Sequence, residues 1–167
     1  MNKDDFFFKT QLQQNLKRIA ELINSGVFSA NILSPISASV FTELMISLND
    51  VLQKIDDLGH RINFQEDISE GDVTDLVCSV RNAVCHEDSG ERFLNRTKSS
   101  TVKISFSIVV GKGTSGVINE RELKSDYDDD IAFFFGEHRI YLKRHIIRSF
   151  QKAQARVGNL YQEGNNN

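Results

Sequence analysis

Hydrophobic residues along this chain change their spacing twice. Phe8, Leu12, Leu16, Ile19 and Ile23 recur at steps of three and four, so residues 5 to 25 are expected to form a helix closed by Gly26. A short connection containing Pro35 follows. Val40, Leu44, Leu48, Val51, Ile55 and Leu58 mark a second helix, capped by Ser37 or Ser39 and stopped at Gly59. Residues 60 to 71 are polar and read as loop. A third helix is expected from about Asp72 to His86, with Val73, Leu76, Val77, Val80 and Val84 on one side.

The period then shortens to two. Val102, Ile104, Phe106, Ile108 and Val110 alternate with polar or small residues, as on a half-buried strand. Ile131 to Phe135 and Arg139 to Leu142, joined through Gly136-Glu137, read as a hairpin. From Lys143 the helical period returns with Ile146, Phe150, Ala153, Val157 and Leu160. The last residues, 163 to 167, are polar and expected to be disordered. There are no internal repeats. The pattern predicts a mainly α single domain over residues 1 to 162: three helices, a small antiparallel β-sheet over about residues 100 to 142, and a closing helix.

Composition narrows the setting. One proline and ten glycines in 167 residues exclude a linker-rich chain, and twelve phenylalanines without tryptophan predict a phenyl and aliphatic core. No apolar stretch reaches the roughly 18 residues of a membrane span, and the three consecutive phenylalanines near the start are too few for a signal peptide. Cys78 and Cys85, if they share a helix, stand about 10.5 Å apart along its axis, beyond the about 7 Å that a disulfide bridges. A cytoplasmic protein with reduced thiols is expected.

The third helix carries the candidate chemistry. With Cys78 at zero and about 100° per residue, Val73, Leu76, Val77, Val80, Ala83 and Val84 fall between about 140° and 260°, a single apolar stripe. Arg81, Asn82, His86, Asp75, Ser79 and both cysteines fill most of the other side, with Asp75, Asn82 and His86 nearly in line. One explanation is a solvated face, since histidine near a helix C-terminus suits the helix dipole. The other is a face covered by a second protomer, because cysteine is usually buried and arginine and histidine are not buried without a reason.

Arg81-Asn82-Ala83-Val84-Cys85-His86 resembles the R-polar-x-x-x-H signature of the HEPN superfamily. The resemblance implies a HEPN-like four-helix bundle, here with a β-sheet inserted before the last helix. It also implies a homodimer in which two motifs meet in one cleft, and metal-independent cleavage of RNA without a cofactor. By that implication His86 acts as general acid or base on the ribose 2′-hydroxyl, Arg81 holds the phosphate and Asn82 orients. The chemistry suits these side chains. Histidine titrates near neutrality, with a pKa of about 6.5, and guanidinium presents a planar fork to developing phosphate charge. The family includes toxins and defence effectors as well as non-catalytic members. A non-catalytic dimerisation or nucleotide-binding module is therefore the alternative, and an antitoxin partner belongs with the first reading.

Charge is unevenly distributed. The net charge of −3 shows no basic footprint for the whole chain, yet Asp126 to Asp130 is acidic and residues 139 to 156 are basic without an acid. Arg144, Arg148, Lys152 and Arg156 recur at steps of four on the expected last helix, as either a solvated face or a path for RNA phosphates. Four other patterns are weaker. Gly111-Lys-Gly-Thr114 lacks the P-loop spacing and the helix that must follow it. Asp126, Asp128, Asp130 and Glu137 have EF-hand spacing, but Ile131 replaces the required glycine. Arg139 and His145 repeat the R-to-H spacing, with Arg139 in an expected strand. Cys78, Cys85 and His86 are wrongly spaced for one zinc, so no metal is expected.

Overall fold

The computed structural model describes residues 3–30, 32–69, 71–86, 88–94 and 102–163. They belong to two compact units, Met1–Asn63 with Ser149–Asn167, and Phe64–Arg148. The helices are α1 (Lys3–Ile23), the short α2 (Val27–Ala30), α3 (Pro35–Asp57), α4 (Val73–Cys85) and α5 (Arg148–Glu163). The strands are β1 (Ser107–Val110), β2 (Gly113–Ile118), β3 (Arg121–Ser125), β4 (Ile131–Phe135) and β5 (His138–Tyr141). The expected disordered tail beyond Glu163 lies outside the described residues.

In the first unit α1 and α3 pack along their apolar stripes. Leu12, Leu16 and Ile19 on α1, and Leu44, Leu48, Val51 and Ile55 on α3, are buried as the period predicts, whereas Phe41 rather than Val40 is buried at the start of the α3 stripe and Leu58 at its end is exposed. The start of α3 is earlier than expected. Ser34 is the N-cap and accepts from the Ile36 N–H, with Pro35 at the first helical position, where its missing N–H costs nothing. On α5, Ala153 and Val157 are buried while Lys152 and Arg156 stay exposed.

The second unit corrects the fold expected from the sequence. The helices do not form a single bundle, because α4 packs against β4 and β5. Of its predicted stripe, Val73, Leu76, Val77, Val80 and Ala83 are buried and Val84 is half-buried. An apolar stripe must be covered, but its spacing does not say whether a helix or a sheet covers it. The sheet is likewise not an appendage of a helical frame. It has the order β1-β4-β5, fully antiparallel, with β2 and β3 paired separately. Leu94, Ile104, Val109, Leu123, Ala132, Phe134 and Tyr141 form one buried cluster within this unit.

Local conflicts explain where the strands depart from the pattern. The alternation over residues 102 to 110 yields a strand only from Ser107, because Phe106 adopts a φ of +49°. The β2–β3 hairpin was not visible as alternation. Its turn places both Asn119 and Glu120 at positive φ, the geometry that matches strand twist. The expected Gly136-Glu137 turn is present. Gly136 has a φ of +52°, and a Cβ there would lie 2.2 Å from the Glu91 carbonyl oxygen, so only glycine fits.

The closing helix begins as a π-helical stretch, Leu142–Ile147. Asp130, whose side chain has no solvent exposure, accepts from the Lys143 N–H at 2.8 Å, the Arg144 N–H at 3.1 Å and the Arg144 guanidinium at 3.0 Å. Buried His145 accepts the Tyr141 N–H at Nδ1, 3.1 Å, and its Nε2 pairs with the Glu66 carbonyl at 2.8 Å. These partners require neutral imidazole protonated at Nε2.

Two tests follow from this packing. Burial lowers the His145 pKa, so the unfolded chain binds the extra proton as pH falls below about 6.5, and the stability His145 confers at neutral pH is lost across that window. Urea unfolding at pH 7.5 and 5.5 should show a smaller pH-dependent loss for His145→Gln than for the natural chain; equal losses would overturn the assignment. Gly136→Ala should lose about 3 kcal/mol in the same assay, from overpacking and the left-handed backbone.

Candidate functional site

A capping box starts α4. Asp72 accepts from the N–H groups of Thr74, 2.9 Å, and Asp75, 3.1 Å, and the Asp75 carboxylate accepts the Asp72 N–H at 3.2 Å. At the other end Arg92 donates to the Ala83 and Val84 carbonyls, a cation closing a helix C-terminus. His86 is the C-cap residue, with φ −123° and ψ 112°, and its N–H donates to the Asn82 carbonyl at 3.1 Å. The chain leaves the helix there, and the His86 side chain is exposed.

Arg81 and Asn82 are brought together. The Arg81 guanidinium donates to Asn82 Oδ1 at 3.0 Å, while Asn82 Nδ2 lies 3.9 Å from Cys78 Sγ. Arg81 Nε is buried with no hydrogen-bond partner, and no carboxylate pairs with this arginine among the described residues. That separates it from Arg18, Arg61, Arg139, Arg144 and Arg148, each of which pairs with an acid. No hydrogen bond among the described residues links the His86 ring to Arg81 or Asn82. Cys85 is exposed and Cys78 half-buried, and neither is in a disulfide.

The basic stretch is largely neutralised. Arg144 pairs with Asp129 and Asp130 and lies 3.4 Å from the Tyr127 ring centroid. Arg148 pairs with Glu66 and lies over the Phe64 ring. Of the three candidate RNA-binding residues, Lys152 alone is not paired with an acid in the described structure. Counting charge over residues 139 to 156 could not reveal this, because the acids come from Glu66 and Asp129–Asp130, outside that span.

The weaker patterns resolve into structural roles. Gly111 to Thr114 forms the turn into β2, with a strand rather than a helix after it. Asp130 caps the π-helical stretch, and Asp126 accepts from Arg139 at 2.7 Å. Arg139 lies on β5 and His145 is buried, so the second R-to-H spacing presents no open pair.

A cleft of about 370 Å³ in the second unit escaped the sequence reading. Asp75 and Ser79 of α4 line it together with Arg121 and Lys124 of β3 and Arg139 of β5. Arg121 and Lys124 belong to the hairpin that the hydrophobic pattern did not resolve, so no periodic signal pointed to them.

Compared with protein-family models, curated proteins and solved structures, the chain matches none. No helix among the described residues is long and apolar enough to cross a membrane.

The exposure of the α4 face is open to a chemical check. A thiol reagent should modify Cys85 well before Cys78, read by mass spectrometry after partial labelling. Equal rates would contradict the packing of this face.

Proposed function

We propose that the chain is a metal-independent endoribonuclease that acts as a homodimer, with Arg81, Asn82 and His86 at its site. The observation that carries this reading is Arg81, whose charge faces an amide rather than a carboxylate, on the same helix end as an exposed histidine. An arginine left without an acid is suited to a phosphate, which it can take bidentately. The resemblance to the HEPN superfamily supports the reading through the motif residues Arg81 to His86 at the C-terminal end of α4, not through the fold.

The chemistry needs no group beyond the chain and its substrate. The ribose 2′-oxygen attacks the adjacent phosphorus while His86 takes the hydroxyl proton. The bond from phosphorus to the 5′-oxygen breaks, leaving a 2′,3′-cyclic phosphate and a 5′-hydroxyl that receives a proton. In the proposed homodimer His86 of the second copy donates it. Arg81 stabilises the extra negative charge on the phosphorane-like transition state, and Asn82 holds the guanidinium in position. Such an activity fits a toxin or defence effector, restrained in its own cell by an antitoxin-type partner.

Arg144 and Arg148 favour a second reading, because their pairing with acids weakens the basic path along the last helix. In that reading the same face dimerises or binds a nucleotide without cleaving it. Incubation with single-stranded RNA or tRNA in EDTA separates the two. Cleavage to 2′,3′-cyclic ends is expected, falling at least about 100-fold in His86→Ala and in Arg81→Ala. Binding without His86-dependent cleavage would replace the first reading with the second.

A further inference from the structure

One wall of the cleft beside α4 is a short stretch of irregular chain. Asp67, Ile68 and Ser69 line the cleft together with Asp75 and Ser79 of α4. Gln65, Glu66, Asp67 and Ser69 are exposed and Ile68 is half-buried. The stretch is pinched at its base, where the Phe64 carbonyl accepts the Val73 N–H at 3.0 Å. Its internal backbone hydrogen bond runs from the Ile68 N–H to the Gln65 carbonyl, 3.2 Å. Asp67 holds a φ of +56°, a left-handed conformation disfavoured for a residue with a Cβ. Chain of this kind stays in place through what grips it from outside.

Among the described residues three polar contacts grip it. Arg148 pairs with the Glu66 carboxylate, and the Tyr127 hydroxyl donates to the Asp67 carboxylate. Both contacts are open to water, where an ion pair contributes little. The third is interior. His145 has no solvent exposure; its Nε2–H donates to the Glu66 carbonyl at 2.8 Å, and its Nδ1 accepts the Tyr141 N–H at 3.1 Å.

A proton on His145 removes this anchor. Nδ1 becomes a donor facing the Tyr141 N–H, so two donors meet where one bond stood. No carboxylate near the ring is left to compensate. Asp130 is already held by the Lys143 N–H and the Arg144 guanidinium, Asp67 by Tyr127 and the Glu66 carboxylate by Arg148. Burial holds the His145 pKa below the usual histidine range; the Glu66 carbonyl, Asp67 and Asp130 oppose this, and Arg139 on β5 adds to it. A charged ring regains water only by leaving its place, which frees the Glu66 carbonyl. The donors on Asp130 do not involve the ring, so the join between β4 and the closing helix stays made.

We infer that residues 65–69 form an acid-released lid on the cleft, latched by neutral His145. As pH falls below about 6.5 the open form takes up the proton, and opening becomes easier by up to about tenfold per pH unit. Opening widens access to Asp75 and Ser79, the α4 residues of the same cleft. The lid works independently of the RNA chemistry proposed at the other end of α4.

Amide hydrogen exchange in low urea, followed by NMR on the full-length chain and corrected for the intrinsic rate at each pH, tests the lid. The Ile68 and Tyr141 amides should exchange through an opening that urea barely speeds, whereas Val77 on α4 and Phe133 on β4 should need the strongly urea-dependent global unfolding. From pH 7.0 to 5.0 the Ile68 opening should become about 25-fold more frequent, and His145→Gln should abolish that response. Tyr127→Phe, which keeps the latch but frees Asp67, should raise Ile68 opening at both pH values and leave the pH response in place. Ile68 exchange with the urea dependence of Val77 would overturn the lid. So would Ile68 opening that is unchanged between the two pH values, that responds equally in His145→Gln, or that is unaffected by Tyr127→Phe.

Discussion

The carboxylate of Asp130 organises the second unit. A buried charge costs several kcal/mol unless nearby donors replace its water. Here the donors are the N–H groups of Ile131, Lys143 and Arg144 and the Arg144 guanidinium. Meeting that demand joins the start of β4 to the chain that leaves β5, and it sets the wide first turn of the closing helix. Once that turn is set, His145 reaches the Tyr141 N–H and the Glu66 carbonyl, which ties the loop before α4 to the same point. A buried imidazole and a buried carboxylate are thus parts of one hydrogen-bonded join between strand, helix and loop.

The same join has consequences for function. Arg144 is drawn onto Asp129 and Asp130, and Arg148 onto Glu66, so the cations that looked most available for RNA are held within the fold. Arg92 is aimed at the last carbonyls of α4 and supports the helix end where His86 emerges. Arg81 differs from these in having an amide as its partner. An amide can orient a guanidinium without cancelling its charge. For anion recognition, the partner of an arginine therefore matters more than the local density of basic residues.

Much of the fold was legible because it rests on periodicity. The stripes of α1, α3 and α4, the strands at Ile131 to Phe135 and Arg139 to Tyr141, and the turn at Gly136 fall where spacing and turn chemistry place them. What was not legible depended on partners distant in the chain. The stripe of α4 reads the same whether a helix or a sheet covers it, which is why a bundle was expected and a helix-on-sheet unit found. Phe106 continues the alternation before β1 yet turns to positive φ, and its ring stacks on Phe133 at 5.9 Å, a contact that residue spacing cannot report. For the site, the Arg81–Asn82 pair and the exposed helix end follow from position on α4. The cleft depends on β3, whose polar and glycine-rich surroundings carry no periodic mark.

The R-to-H spacing occurs twice in the chain, and comparing the two copies shows what the spacing alone leaves out. In one copy Arg139 is paired with Asp126, and His145 is buried with both ring nitrogens engaged. Neither side chain can reach a substrate without breaking the packing around it. In the other copy Arg81 has no carboxylate, and His86 stands where the helix ends and the chain turns outward. Residue identity and spacing are alike in both, so the difference arises from which groups the fold has already satisfied. A catalytic histidine needs a nitrogen able to exchange a proton with substrate, and a phosphate-binding arginine needs donors without an internal anion. Of the two copies, the one at the end of α4 has an exposed histidine and an arginine with no carboxylate partner among the described residues.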